Sequence, residues 1–395
     1  MRLFDAARHQ QLSGARWDAD VARRAIDAIV RDCEERFSDD GLWPAHPLDH
    51  EGHPPEGPYT GVFFGAAGVI YALDVLARRG FARSTARFEW TLAMLEGANY
   101  RELRAGGCGM ESYLMGRSGI LLTHYRVAPS GDISDRLEKS IAANTLHPTR
   151  ELMWGAPGTM HAALLMHAWT GEPRWAELYR SGTRALAASL ERHDEAELWT
   201  QQIWGRGLVM LGAAHGYAGN AGAIVGGLGL VEPPERDAWI ERIVAATLAT
   251  ATREGPLLNW PPEWPISGRT KRLVQWCYGA PGFVTSLASL ADPRLDDVLL
   301  AAGELIWTAG PLAKGSGLCH GTAGNGYAFL KLFRRTGDER WLDRARAFAM
   351  HAIAQCERDA AEYGIRRYSL YTGDPGTAVY LMHCIDGTDA WPGLE

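Results

Sequence analysis

The sequence predicts an all-α protein, an (α/α)₇ toroid in which seven inner helices are surrounded by seven outer ones. A G-x-x-G element followed by an apolar run recurs seven times, an amphipathic stretch precedes each copy, and β-strand signals are weak throughout. A helix that is apolar all round must be buried, whereas an amphipathic helix packs one face on the core. Seven helices of each kind therefore predict a closed double-layered ring.

The glycine element defines the repeat. Its copies begin at Gly65, Gly116, Gly155, Gly216, Gly279, Gly321 and Gly373, in steps of 51, 39, 61, 63, 42 and 52 residues. A fixed element at such spacing is typical of repeat architectures. Each glycine pair is expected to open an inner helix and to let neighbouring backbones approach closely at the rim. The related segments 170–175 (TGEPRW) and 336–341 (TGDERW) both begin 15 residues after the first glycine of their repeats, which indicates duplication.

The outer helices follow from the amphipathic stretches. The first is predicted over 18–37, where Val21, Ile26, Ile29 and Cys33 share one face. The others are predicted at roughly 84–95, 132–143, 174–192, 234–252, 293–309 and 338–356. One ring uses the whole chain, so we expect a single domain, 1–395, although the length alone would suggest two or three domains.

Composition excludes several classes of function. The formal net charge is -7 and no run of five like charges occurs, which argues against a nucleic-acid partner. The N-terminal residues lack the apolar region of a signal peptide, and no stretch of 18 apolar residues spans a membrane, so a cytoplasmic location is expected. Cytosolic thiols are normally reduced, which makes metal binding or catalysis the better expectation for any special cysteine among the six.

The two residues before each first glycine carry the chemistry. In chain order these pairs are Phe63-Phe64, Leu114-Met115, Met153-Trp154, Ala214-His215, Cys277-Tyr278, Cys319-His320 and Tyr371-Thr372. Only the fourth, fifth and sixth repeats place cysteine or histidine there. Because consecutive repeats are neighbours in a ring, these reactive side chains should converge on one rim.

Cys277, Cys319 and His320 are predicted to bind Zn²⁺. Three protein ligands leave the fourth position open, as catalytic zinc requires, and two thiolates give a soft centre suited to a further sulfur ligand. The alternative is that they are small buried packing residues and a core histidine. The shared repeat position of Cys277 and Cys319 favours the metal site.

Two further rim residues are catalytic candidates. His215 is predicted to act as a general acid or base beside the metal, and its alternatives are a fourth zinc ligand or a hydrogen-bonded rim histidine. Tyr278 is expected either to donate a hydrogen bond or to form an aromatic wall. The histidines and cysteines away from the rim pairs are interpreted as packing or surface residues: His161, His167, His351, His383, Cys33, Cys108, Cys356 and Cys384.

The motifs around these residues resemble those of the lanthionine synthetase C-like family. The matching segments are W-C-Y-G-A-P-G at 276–282, G-L-C-H-G-T-A-G-N at 317–325 and A-H-G-Y-A-G at 214–219, and the resemblance covers all seven repeats. It implies an α-toroid whose single catalytic zinc is held by Cys277, Cys319 and His320. It also implies proton transfer by His215 and an acidic catalytic residue that these motifs do not locate.

The resemblance implies two related reactions. Bacterial members add a peptide cysteine to dehydroalanine or dehydrobutyrine and so close a lanthionine ring, whereas the eukaryotic branch is associated with adding glutathione to dehydroamino acids. Tyr278 looks bacterial, while Lys314 and the Leu273-Val274-Gln275 run look eukaryotic. Bacterial cyclases usually carry an arginine at the position of Leu273; here Arg272 is adjacent, and this departure weakens the case for peptide cyclisation.

The sequence therefore predicts an enzyme that adds a thiol to a dehydroamino acid and forms a thioether, with a dehydrated peptide as substrate and a separate dehydratase as its supplier. The alternatives are glutathione-type intermolecular addition and a non-catalytic zinc or thiol-binding peptide scaffold. A carboxylate-based toroid such as a glycosidase lacks paired acids at the rim, since Asp374 and Glu111 fall in distant repeats. Arg269, Lys271, Arg272 and Lys314 precede the zinc cysteines and predict attraction of an anionic substrate, Arg272 and Lys314 being the candidate binding residues.

Overall fold

The chain forms two concentric layers of α-helices. The computed structural model describes residues 3–50, 57–104, 109–267 and 271–395, and these contain fourteen α-helices. The inner layer consists of α2 (Ala66–Ala77), α4 (Arg117–Val127), α6 (Ala156–Thr170), α8 (Tyr217–Val225), α10 (Ala280–Leu287), α12 (Thr322–Thr336) and α14 (Asp374–Asp386). The outer layer consists of α1 (Ala19–Arg36), α3 (Glu89–Arg104), α5 (Gly131–Asn144), α7 (Pro173–Ala188), α9 (Pro233–Ala249), α11 (Asp296–Ala309) and α13 (Glu339–Tyr363).

The inner helices close into a ring. Each packs against the next inner helix along the chain, and α14 packs against α2. At this seam α1 packs on α14, and the backbone N–H of Tyr371 donates to the carbonyl of Phe63 at 3.2 Å. Phe63 in turn donates to Leu114 in the second repeat at 2.8 Å. The predicted (α/α)₇ toroid is confirmed.

The glycines act where the rim segment turns into each inner helix. The first glycine of every pair is the N-cap of an inner helix. A Cβ on the second glycine would lie only 1.8–2.3 Å from the carbonyl oxygen six residues earlier, far inside contact distance, at Gly68, Gly119, Gly158, Gly219, Gly282, Gly324 and Gly376. The second glycines therefore allow each inner helix to approach the rim segment of its own repeat. A third set of glycines lies close to the backbone of the next repeat: Gly61, Gly212 and Gly317.

The duplicated T-G turns have the same structure. Thr170 and Thr336 each donate a side-chain hydrogen bond to the carbonyl four residues earlier, at 2.8 and 2.7 Å. The following glycines, Gly171 and Gly337, end α6 and α12 in the left-handed conformation. The next helix then places an arginine over a tryptophan ring at 4.9 Å in both copies.

Three antiparallel hairpins depart from the all-helical expectation. They pair β1 (Glu191–His193) with β2 (Ala196–Leu198), β3 (Gln201–Ile203) with β4 (Arg206–Leu208), and β5 (Thr252–Glu254) with β6 (Leu257–Asn259). All three lie in the two longest steps between glycine elements, before Gly216 and before Gly279. The all-α prediction holds, and the strand signals of these short segments are too weak to predict the hairpins.

The outer helices differ most from their predicted bounds at α3 and α13. Residues 85–88 form a 3-10 helix, so that α3 begins at Glu89 and continues to Arg104, and α13 continues to Tyr363. Further 3-10 turns occupy Ala6–Arg8, Pro47–Asp49, Leu228–Leu230 and Pro293–Leu295. No helix in the described part of the chain has the length and apolarity needed to cross a membrane.

Candidate metal centre

The rim pairs form two rows around one end of the ring. The first residue of each pair is buried: Phe63, Leu114, Met153, Ala214, Cys277, Cys319 and Tyr371. The second residue is half-buried in every repeat except the seventh, where Thr372 is buried. The second row is thus the one that solvent and a substrate can reach, and it contains His215, Tyr278 and His320.

Cys277, Cys319 and His320 come together as the sequence predicts. Their ligand atoms all lie within 4.8 Å of one another. The cysteines are 6% and 5% exposed, and a backbone hydrogen bond of 3.1 Å from Cys277 to Cys319 joins the two repeats. Two sulfurs and one imidazole in a largely buried cluster have the chemistry of a zinc site. The residues present therefore fit Zn²⁺.

Hydrogen bonds hold the sulfurs. The side-chain amide of Gln275 donates to Cys277 Sγ at 2.9 Å, and its oxygen accepts from Arg8 at 3.3 Å. Burial raises the pKa of the Cys277 thiol, but hydrogen bonds from Cys319 and His320 outweigh it and hold that pKa well below its usual value. The hydrogen bond to Cys277 and burial raise the pKa of Cys319 well above its usual value, against the opposing charges of Lys314 and Arg367. A thiolate at Cys277 is the favoured state.

His215 is oriented by a buried carboxylate. Its Nδ1 lies 2.9 Å from Oε2 of Glu151, whose side chain is fully buried. The same carboxylate accepts backbone hydrogen bonds from Met153 and Trp154 at 3.0 and 2.7 Å, so it is fixed in place. Burial acts to lower the pKa of His215, but the hydrogen bond and charge of Glu151 outweigh it and raise that pKa. The protonated imidazole, a proton donor, is thereby favoured.

Tyr278 lies beside His215 and Cys277. Its ring centroid is 6.3 Å from that of His215, and it follows Cys277 directly in the sequence. Burial and the negative charges of Cys277 and Glu151 raise the pKa of Tyr278, so its phenol stays protonated. The geometry is compatible both with a hydrogen-bond donor and with an aromatic wall.

The cationic residues predicted to attract an anionic substrate differ in exposure and in their position relative to the cysteines. Lys314 is exposed, and its charge reaches Cys319. Arg272 is half-buried and Lys271 is exposed, both just before the Cys277 segment, while Arg269 lies outside the described residues. The structure adds Arg8, which belongs to a segment held on the rim by hydrogen bonds from Gln10 to Pro311 and from Ala313 to Arg8, at 2.8 and 2.9 Å.

Sequence reasoning missed Glu151, Gln275 and Arg8. Glu151 and Gln275 both lie four residues before the first glycine of their repeats, where other repeats have glycine or serine. A comparison of that position across repeats would have singled out both. Arg8 precedes the first repeat, and nothing in the repeat pattern identifies it.

The remaining candidates are used in packing and ion pairs. Cys33, Cys356 and Cys384 are buried away from the centre, whereas Cys108 lies outside the described residues. His161, His167, His351 and His383 lie within α6, α13 and α14, as expected. Asp374 pairs with Arg366 at 3.0 Å and Glu111 with Arg117 at 2.6 Å. These two carboxylates belong to separate ion pairs in the seventh and second repeats.

Comparisons with known proteins agree with the geometry. Similar curated proteins include the zebrafish (Danio rerio) "Glutathione S-transferase LANCL1", 39% identical over 118 residues, and the Arabidopsis thaliana "LanC-like protein GCL1", 37% identical over 137 residues. These alignments cover 28% and 31% of this chain and 28% and 30% of the relatives, so the chain spans about three-tenths of the length of the relatives it matches.

The fold likeness is more extensive than these alignments. Among solved structures, nisin cyclase superposes with a TM-score of 0.63 at 15% identity, covering 93% of this chain and 94% of the cyclase. At that identity the likeness establishes the shared toroid. A family model described as "Lanthionine synthetase C-like protein" matches residues 4–395. The chain belongs to the lanthionine synthetase C-like protein family.

Proposed function

We propose that this protein is a zinc-dependent enzyme that adds a thiol to a dehydroamino acid and so forms a thioether. One observation carries the proposal: the Cys277, Cys319 and His320 ligand atoms lie within 4.8 Å of one another, on the rim that also carries a histidine fixed by a buried carboxylate. A non-catalytic scaffold would need the metal cluster but has no use for a proton donor whose pKa is raised beside it.

The residues divide the reaction between them. Bound zinc would supply a Lewis acid that keeps an incoming thiol deprotonated, while its two thiolate ligands preserve the nucleophilic character of that sulfur. Sulfur adds to the β-carbon of the dehydroamino acid, and the electron pair of the double bond moves towards the carbonyl oxygen. The Tyr278 phenol donates a hydrogen bond to that oxygen. The proton that the thiol loses passes to solvent, and the His215 imidazolium gives its own proton to the α-carbon and completes the thioether.

The first prediction is one zinc ion per chain. Elemental analysis of the purified protein should give about one equivalent, because two thiolates and an imidazole bind one tetrahedral metal. Cys277→Ala should lose the metal, whereas Cys384→Ala, at another buried cysteine, should retain it. Full zinc occupancy in Cys277→Ala would refute the ligand assignment.

Turnover distinguishes an enzyme from a scaffold. The zinc-loaded protein should add glutathione to an N-acetyl-dehydroalanine ester, and mass spectrometry would detect the adduct. His215→Asn should keep the zinc but lose rate by about 10²- to 10⁴-fold, as expected for a general acid. Loss of zinc in this variant would instead make His215 a metal ligand, and a zinc-loaded wild type without turnover would favour the scaffold.

Intermolecular addition of an anionic thiol is the second candidate, and the cations favour it over peptide cyclisation. Arg8 hydrogen-bonds the residue that contacts Cys277 Sγ, and the charge of Lys314 reaches Cys319, in a chain whose net charge is -7. Cations concentrated beside a site in an acidic protein attract an anionic ligand. The zebrafish relative is named as a glutathione S-transferase, which points to the same thiol, glutathione.

The second prediction therefore concerns the charge of the thiol. Glutathione should have a lower KM than the uncharged N-acetylcysteamine, and Lys314→Ala should raise the KM for glutathione alone. Added salt should weaken only the glutathione preference, since exposed charges are screened over about 10 Å at 0.1 M. Lys139→Ala, at an exposed lysine on α5, is the control. Equal KM values for both thiols, unaltered in Lys314→Ala, would exclude the anionic thiol and favour peptide cyclisation.

A further inference from the structure

The β3–β4 hairpin presents a tryptophan beside the candidate proton donor. Trp204 occupies the two-residue loop of this hairpin, and its ring centroid is 5.6 Å from that of His215. The residue is 63% exposed, although tryptophan is usually buried to a large extent. The ring contacts run from Trp204 to His215 and from His215 to Tyr278. An accessible indole therefore lies against the candidate proton donor, at the edge of the candidate active site.

The backbone at this tryptophan is unfavourable for the residue that occupies it. Trp204 and Gly205 have φ values of 52° and 74°, both in the left-handed region that a two-residue hairpin loop of this kind requires. Asparagine, aspartate and glycine are the favoured residues at the first of these positions, and a bulky side chain there is an outlier. The neighbouring β1–β2 hairpin has Asp194 at the corresponding position, with the same φ of 52°. The turn itself thus gives no reason for a tryptophan.

The hairpin is anchored to the rim, so the indole is held in place. Gln201 is fully buried, and its side-chain oxygen accepts from the Met210 backbone at 2.8 Å. The Gln202 backbone donates to the Pro148 carbonyl at 3.1 Å. Ile203, directly before Trp204, is 6% exposed. An exposed aromatic side chain on a fixed but unfavourable turn is the pattern expected when the residue serves a ligand.

We propose that Trp204 is a substrate-specificity residue that binds an apolar side chain of the peptide next to its dehydroamino acid. This proposal rests on the proposed function, in which the thiol occupies the metal side and His215 protonates the α-carbon of the other substrate. A ring in contact with the proton donor therefore lies beside the substrate that His215 protonates, the acceptor peptide. An indole offers a large, rigid apolar surface at small entropic cost, which suits a leucine or phenylalanine side chain.

The test compares two acceptor peptides in the zinc-loaded enzyme. Both contain dehydroalanine, flanked by leucine in one and by glycine in the other, with glutathione as the thiol. Wild type should have the lower KM for the leucine peptide, and Trp204→Asn should raise that KM by about tenfold, the effect of losing roughly one buried apolar side chain. The KM for the glycine peptide and for glutathione should stay unchanged. Trp204→Phe keeps an aromatic ring. Its KM for the leucine peptide should therefore lie between those of the wild type and Trp204→Asn.

Stability distinguishes this role from a structural one. Asparagine suits the left-handed turn, so Trp204→Asn should raise the midpoint of thermal unfolding while it weakens peptide binding. A tryptophan that served the fold would lower the midpoint when it is replaced. Trp90→Asn, at a 74% exposed tryptophan on the outer helix α3, should alter neither peptide KM. Unchanged leucine-against-glycine discrimination in Trp204→Asn, or a lowered midpoint, would overturn the proposal.

Binding measurements separate this proposal from the proposed reaction. A peptide with alanine in place of dehydroalanine cannot react, and calorimetry should still give a preference for the leucine-flanked form that Trp204→Asn abolishes. If the wild type does not add thiol to the minimal acceptor, the proposed reaction is refuted. The calorimetric preference for the leucine-flanked peptide would still test the role of Trp204 independently. A change in oligomeric state of Trp204→Asn by light scattering, with peptide binding unaltered, would instead assign the indole to a contact between copies of the chain.

Discussion

The Glu151–His215 pair is the residue-scale feature with the clearest functional consequence. The carboxylate raises the pKa of His215, and the raised value keeps the imidazole protonated at higher pH. A group whose pKa is raised on folding stabilises the fold fully below its unfolded pKa and loses that contribution as pH rises through the folded pKa. If His215 is the proton donor, activity should fall over the same interval, above its ordinary value of 6.5.

The third prediction follows from this sign. Glu151→Gln removes the charge and keeps one oxygen, which can replace Oε2 as the acceptor for His215 and the Met153 backbone but cannot also accept from Trp154, whose acceptor is Oε1. The alkaline limb of the kcat profile should therefore move to lower pH by about 1–2 units. At pH 8 the variant should therefore lose activity, whereas at pH 6 it should approach wild type. A full profile of kcat against pH is the measurement.

The control is a half-buried carboxylate, Glu102. Glu102 accepts the backbone and side-chain hydrogen bonds of Thr60, at 3.0 and 2.5 Å, in another part of the rim. Glu102→Gln should leave the position of the alkaline limb unchanged. An identical profile of kcat against pH in wild type and Glu151→Gln would show that the alkaline limb does not arise from the deprotonation of His215.

Only the site residues at equivalent positions of the repeats could be predicted from the sequence. Equivalent positions place Cys277, Cys319, His320 and His215 on one rim, and the sequence alone is enough for that inference. The partner of His215 lies 64 residues earlier along the chain, and their contact depends on how the third repeat packs against the fourth. Arg8 lies outside the repeats, 267 residues from Gln275, so only the folded rim segment brings them together.

At the scale of elements, the starts of the inner helices were predictable and the hairpins were not. Each inner helix begins directly after a first glycine, because the rim segment folds back against the helix and leaves no space for a Cβ. The hairpin strands are three residues long. Such short strands cannot display the alternation of apolar and polar residues by which a strand is recognised.

The fourth prediction concerns Gly282, the second glycine of the element that follows Cys277, a proposed zinc ligand. In Gly282→Ala the new Cβ would lie 2.2 Å from the Trp276 carbonyl and 2.9 Å from Ala213 Cβ. Relief of this overlap requires the segment that carries Cys277 to shift. We expect a loss of about 2–4 kcal/mol in the free energy of unfolding and weaker zinc binding.

Gly131→Ala is the matched control. Gly131 begins the outer helix α5, and a Cβ there would meet no atom within 4 Å. Alanine is the better helix former by up to about 1 kcal/mol, so this variant should be neutral or slightly more stable. Urea unfolding and zinc competition with a chelator would be measured for both variants. Equal stability of the two would contradict the steric account of the second glycines.

At the scale of the whole molecule, residues 388–395 connect repeats that are not neighbours in the ring. Trp391 stacks on Trp276 of the fifth repeat, with centroids 4.8 Å apart, and donates to the Tyr371 hydroxyl of the seventh at 3.3 Å. The Leu394 carbonyl lies 2.9 Å from His161 Nδ1 in the third repeat. A solenoid repeat contacts only its neighbours, so its stability is close to a sum of local terms. This segment adds contacts across the ring.

The fifth prediction is that Trp391 stabilises the toroid as a whole. Its side chain is 2% exposed, and a Trp391→Ala change should cost about 3–5 kcal/mol through lost burial and the cavity left behind. Because several repeats share the contact, the whole helical signal should shift to lower temperature in one transition.

Trp90→Ala provides the comparison that isolates this effect. Trp90 is 74% exposed on α3, and its replacement should change the free energy of unfolding by no more than about 0.5 kcal/mol. Circular dichroism would follow the helical signal of both variants during heating. Equal midpoints of thermal unfolding in Trp391→Ala and Trp90→Ala would show that the contacts of Trp391 do not stabilise the toroid. An early partial transition in Trp391→Ala, with the main midpoint unaltered, would show that it stabilises one repeat alone. A single shifted transition would mean that the ring is stabilised by contacts across it as well as around it, and the rim that carries Cys277 would then share in that stability because Trp276 directly precedes it.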